Sequence, residues 1–108
     1  MTNDQTRRIR QINDLARQTF TGCRVMITPG IQALEDINAV LRAVQLFDEF
    51  NEHNDPYAEH DFGSFRHNGE TTFWKWDYFD LDLQMHSPDA SDPAVTARVL
   101  TVMLADEY

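Results

Sequence analysis

Glu59-His60-Asp61 sets an imidazole between two carboxylates, with Asp55 before it and Asp77, Asp80 and Asp82 after it. Neutral imidazole and carboxylate oxygen both ligate divalent cations, and a carboxylate that orients an imidazole makes a general base. If a hairpin about Asn68-Gly69 runs back to residue 60, His60 stands opposite Asp77. His60, Asp61 and Asp77 are then the candidates for a small metal-binding or metal-dependent centre. Consecutive strand residues, however, point to opposite sheet faces, so residues 59, 60 and 61 do not all converge from a regular strand. The sequence has no H-E-x-x-H, no paired cysteines, no EF-hand spacing and no G-x-S-x-G. Its glycines stand apart at 22, 30, 63 and 69 and build no phosphate cradle. No cofactor and no catalytic residue is therefore assigned.

The second use of these acids is recognition. Of 108 residues, 18 are acidic and 9 basic, a formal net charge of −9. Five arginines against two aspartates leave residues 1–24 at +3, and four cations against sixteen acids leave residues 25–108 at −12. Such a field repels nucleic acid and attracts a basic protein surface. A row of acids can imitate phosphates and occupy the channel in which another protein holds nucleic acid. The expected partner-binding residues are Glu59, Asp61, Asp77, Asp80 and Asp82, with Phe62 and Phe73 as apolar anchors. No direct nucleic-acid contact is expected.

The elements that must position these residues are legible in part. Ile9, Ile12, Leu15, Ala16, Thr19 and Phe20 recur at helical spacing and predict a helix over 4–20, with its arginines mostly on the other side. Gly22 ends it. Arg24 to Thr28 is short and β-branched, hence a strand, stopped by Pro29-Gly30. Ile37, Val40, Leu41, Val44 and Phe47 predict a long helix over 34–50. Asp48, Glu49 and Glu52 cluster at its C-terminal end, which opposes the helix dipole and hints at use.

Asn68-Gly69 is a strong two-residue hairpin signal. Pairing about it sets Phe65 opposite Thr72, Gly63 opposite Trp74 and Asp61 opposite Trp76. One face then carries the tryptophans and Tyr78 and should meet the helices. The other carries His60, Phe62, Arg66, Phe73, Lys75 and Asp77 and is either covered or an exposed patch. Asp92-Pro93 reads as an N-cap, and Val95, Val99, Val102 and Met103 predict a last helix to about residue 106. His53, His67 and His86 look like isolated loop or surface histidines. The lone Cys23 reads as a small buried hydrophobe.

The strings N-D-P-Y-A-E-H-D-F-G (54–63), F-W-K-W-D-Y-F-D (73–80) and D-P-A-V-T-A-R-V-L-T-V-M-L-A-D-E-Y (92–108) resemble a small uncharacterised proteobacterial domain family, often encoded on plasmids and other mobile DNA. The likeness runs from Ile9 to Tyr108. It implies bacterial origin, a cytoplasmic location and, by analogy, an inhibitor of host defence of the anti-CRISPR or anti-restriction type. It carries no catalytic residue to transfer.

The chain is therefore expected to be one α+β domain over residues 1–108, a monomer or small homo-oligomer. Its expected core is a three-stranded antiparallel sheet, in the order α-β-α-β-β-α. No apolar run is long enough for a membrane span, and the N-terminus lacks a signal-peptide segment. The expected function is non-enzymatic: an acidic module that binds a basic protein.

Overall fold

A computed structural model describes residues 3–108. Its elements are α1 (Asn3–Thr19), β1 (Arg24–Ile27), α2 (Pro29–Gln32), α3 (Ile37–Leu46), β2 (Phe62–His67), β3 (Glu70–Phe79) and β4 (Ala97–Leu104), with short 3-10 turns at Pro93–Val95 and Ala105–Glu107. The α+β class holds. The sheet is four-stranded and mixed, in the order β1-β4-β3-β2, with β1 and β4 parallel.

The added strand is the segment expected to be the last helix. Asp92 does cap, accepting a hydrogen bond from the Ala94 N–H, but only a 3-10 turn follows. Val95, Val99, Val102 and Met103 fit a period of 3.6, yet Arg98, Leu100 and Val102 fit a period of 2, and these three are buried. A β-branched run wedged between two strands follows the second period.

The 34–50 helix is shorter than expected and closes at Leu46. Phe47 turns extended there, and the guanidinium of Arg17 donates to the carbonyls of Val44 (2.8 Å), Gln45 (3.2 Å) and Phe47 (3.0 Å). A buried cation on a helix C-terminus satisfies carbonyls that the helix leaves free. Arg17 is thus no solvated arginine. Asp48, Glu49 and Glu52 lie beyond the helix end, in the loop that follows.

The face of α1 is turned from the expected one. Thr6, Ile9, Asn13, Ala16 and Arg17 are buried, whereas Leu15 is 63% exposed. Three of these are polar, and Asn13 and Arg17 hold core-facing positions through hydrogen bonds to Tyr78 and Val44.

The hairpin has the expected register. Gly63 pairs with Trp74 and Phe65 with Thr72. Asn68 and Gly69 both take positive φ, 51° and 83°. The indole of Trp74 lies across Gly63, where a Cβ would fall 2.2 Å from its Nε1.

The tryptophan face is the core face. Trp74, Trp76, Leu100 and Val102 pack with Ala16 of α1, Ile31 of α2 and Val40 and Val44 of α3. The opposite face carries Arg24 and Met26 on β1, Phe62 and Arg66 on β2, Phe73, Lys75, Asp77 and Phe79 on β3, and Val99 and Thr101 on β4. Tyr108 crosses one end of it, its ring 5.6 Å from Phe73 and 6.3 Å from Phe62.

Candidate functional site

Ala58 and His60 both take positive φ, 57° and 54°, a region costly for side-chain-bearing residues. The chain therefore leaves β geometry before Phe62, and the alternation expected of residues 59–61 does not apply. His60 does not stand opposite Asp77. It swings to the helix side, where its Nδ1 meets the carboxylate of Asp14 on α1 at 2.8 and 3.0 Å. Its Nε2 lies 3.5 Å from Asp55 Oδ2, and its backbone N–H donates to Asp55 Oδ1 at 3.0 Å. The imidazole stacks flat on Phe50, centroids 3.7 Å apart and planes 2° from parallel. Asp77 sits on the other sheet face, paired with Lys75 Nζ at 3.1 Å.

A second network lies beside the first. Asn13 Nδ2 donates to the Tyr78 hydroxyl (2.8 Å) and to the Glu59 carbonyl (3.0 Å). The Tyr78 hydroxyl donates to Glu59 Oε1 at 2.9 Å. Arg98 Nε donates to Asn13 Oδ1 at 2.8 Å, and the guanidinium lies over the Tyr78 ring and donates to the Ala90 carbonyl. The network ties α1, the loop after α3 and two strands through one buried asparagine.

Burial sets the electrostatics. Asp55, Glu59 and Asp61 are all held above the ordinary carboxylate range, chiefly because burial penalises their charged forms. Burial likewise pushes the Tyr78 hydroxyl up, and it pulls Arg17 and Arg98 down. Phe50, Asn51, Glu52, Asp55, Pro56, Ala58 and His60 line a broadly open pocket of about 320 Å³. Both His60 nitrogens face carboxylates rather than a hydroxyl or thiol to activate. Cys23 sits elsewhere, half-buried, with burial raising its thiol.

The residues expected to bind a partner divide between two places. Glu59 and Asp61 belong to the helix side, with Asp55 and His60. Phe62, Phe73 and Asp77 belong to the open face of the sheet. Asp80 and Asp82 lie in the turn after β3, where Asp80 Oδ1 accepts the backbone N–H groups of Gln84 (3.0 Å) and Met85 (3.4 Å). Among the described residues, no group of three or more His, Cys, Asp or Glu side chains converges as a metal site, so His60, Asp61 and Asp77 do not share one.

Sequence reasoning passed over Asp14, Asn13, Arg17 and Arg98. The available signal was polar residues at core-facing helical positions. It also treated His67 as isolated, whereas His67 Nε2 meets Asp36 Oδ2 at 2.5 Å and ties the hairpin tip to the start of α3.

No helix among the described residues is long and apolar enough to cross a membrane. No curated protein matches the chain. No solved structure matches it either. One family does, over residues 27–107, a span that leaves out α1 and most of β1. The chain belongs to that family, described as protein of unknown function (DUF3768).

Proposed function

We propose that the protein is a binding module for a basic protein surface, and that it docks through the loop that follows α3. The carrying observation is the concentration of acids in the segment that holds the open pocket, which Glu52 and Asp55 line. Asp48, Glu49, Glu52, Asp55, Glu59 and Asp61 fall within fourteen residues, and the first three are exposed. Tyr57, 69% exposed, stands among them as an aromatic anchor. Asp55, Glu59 and Asp61 are desolvated, so a cation brought to their rim gains more than it would against a fully hydrated acid. A nucleic-acid-binding protein offers a surface of this kind, and occupying it would inhibit that protein.

The test is a partner recovered from the host and mapped by cross-linking. Cross-links should fall on residues 48–61, and binding should weaken as salt is added. Glu49→Lys with Glu52→Lys should reduce affinity about tenfold or more, while Asp82→Lys should change it by less than about twofold. Binding that ignores the first pair of substitutions sinks this reading.

A further inference from the structure

The pocket in the loop after α3 holds a carboxylate with a bond to spare. Asp55 lines it, although its side chain is only 5% exposed. Oδ1 accepts the His60 backbone N–H at 3.0 Å. Oδ2 accepts no hydrogen bond among the described residues, and its one approach is to His60 Nε2 at 3.5 Å. A buried carboxylate oxygen without a donor is costly until a donor or a cation reaches it. Burial holds the Asp55 carboxyl above its ordinary range, which is the same deficit seen as a proton affinity. Glu52, fully exposed, stands beside it in the pocket lining. No Lys or Arg forms an ion pair with either acid among the described residues. Arg10 is felt by Asp55 at range but is bonded to the Ala58 carbonyl at 3.1 Å. Arg7, Arg17 and Lys75 pair with Asp4, Asp14 and Asp77.

The rest of the lining is flat or apolar. Phe50 and His60 stack with centroids 3.7 Å apart, and Pro56 and Ala58 add aliphatic surface. We infer that this pocket is the socket for a single arginine side chain of the basic partner, with its stem against the apolar lining and its guanidinium on Asp55 and Glu52. The inference rests on the reading that residues 48–61 dock on a basic protein. Arginine fits better than lysine for three reasons. A guanidinium is planar and stacks on rings, it meets a carboxylate through two N–H groups, and it is less tightly hydrated than an ammonium. The last property lowers the cost of entering a partly desolvated pocket. A metal ion is the poorer occupant, since among the described residues no three ligating side chains converge.

The volume agrees with one side chain. About 320 Å³ is the low end for a small-molecule pocket, too little for a folded segment of a partner. Arginine is also among the residues that most often anchor protein interfaces. The remaining acids of the loop then act around this anchor as a rim.

Titration of the isotope-labelled full chain with N-acetyl-arginine methylamide, followed by amide chemical shifts, tests the proposal. Saturable shifts should gather on residues 50–60, with a dissociation constant of about a millimolar for one isolated side chain. The lysine analogue at equal ionic strength should bind about fivefold more weakly or less. Asp55→Asn keeps an Oδ1 acceptor for the His60 N–H and removes the charge, so it should weaken the arginine probe about tenfold or more. Glu52→Arg, at an exposed position that the fold tolerates, should weaken it about threefold or more and decides the matter if the Asn variant misfolds. No saturable shift up to about 50 mM, equal binding of the lysine analogue, or arginine binding that both substitutions leave unmoved overturns the socket. Arginine in the pocket with partner cross-links elsewhere sinks the docking loop and keeps the socket as an arginine site. Cross-links on residues 48–61 without arginine shifts do the reverse.

Discussion

On one side of β3, Trp74 and Trp76 lie buried beneath three helices. On the other, one residue along the same strand, Lys75 and Asp77 are partly open to water. Both sides hold aromatic rings. The difference lies in what the neighbours do with them. On the helix side Trp74 is met by several elements: it touches Phe47 edge-on at 5.5 Å and carries the Arg17 guanidinium 4.9 Å from its ring centre. On the open side Phe62 and Phe73 meet each other and Tyr108, which is itself 74% exposed. Aromatic content alone thus does not locate a core. The covering element does, and on the open side only the C-terminal Tyr108 reaches over one end.

The largest effect expected on the covered side is from Trp74→Ala, which should lower stability by about 3–5 kcal/mol in urea unfolding. A cost near zero would mean that the helices do not rest on this ring. Arg17→Ala comes next, at about 2–3 kcal/mol, because three carbonyls at the end of α3 lose a charged donor. Amide exchange at the end of α3 should rise with it. Gly63→Ala should cost about 1–2 kcal/mol, since the new methyl collides with the Trp74 indole; fluorescence of that ring will report its displacement. Phe79→Ser on the open side should cost less than about 1 kcal/mol and leave the unfolding midpoint almost unmoved. A loss as large as that of Trp74→Ala would erase the contrast between the two faces.

The smallest expected effect is one of pH. Asp55, Glu59 and Asp61 have folded-state pKa values above the ordinary range, so the native state binds protons more readily than the unfolded one. Their burden on stability is present at neutral pH and is relieved as pH falls through the raised values. Asp36 and Glu107 behave oppositely. A hydrogen bond from His67 lowers the first, and one from the Thr28 hydroxyl (2.6 Å) lowers the second. Their stabilisation is present above the ordinary carboxyl range and is lost as pH falls through the depressed values. Asp61→Asn should therefore gain stability over the wild type at pH 7 and lose that advantage by about pH 4, read from urea midpoints.

Much of this contrast was legible in the residues. Asn68-Gly69 fixes the hairpin register through φ sign alone, and register decides which rings share a face. The small residue at 63 opposite a tryptophan was a readable packing signal. The family resemblance also held, and residues 27–107 match a family of unknown function. The rest failed for physical reasons. Residues 97–104 satisfy helical and strand periods at once, and only the slot between β1 and β3 decides between them. Residues 58–60 break strand geometry with positive φ at non-glycine positions, which composition does not announce. His67 with Asp36, Asn13 with Arg98 and Arg17 with α3 are contacts between residues far apart in sequence. The sites that gather such contacts lie beyond any local reading.

The parallel pairing of β1 with β4 has a kinetic consequence. Arg24 aligns with Val99 across about two thirds of the chain, while β2 and β3 meet across a two-residue turn. Closing a long loop costs more chain entropy than closing a short one, and distant pairings slow folding. The hairpin can form early and offer its β3 edge to β4. β1 must wait until β4 has docked, because β4 supplies its neighbour in the sheet. The end of the sheet that carries Arg24 and Met26 is thus the last to be completed on folding and the first to be released on unfolding.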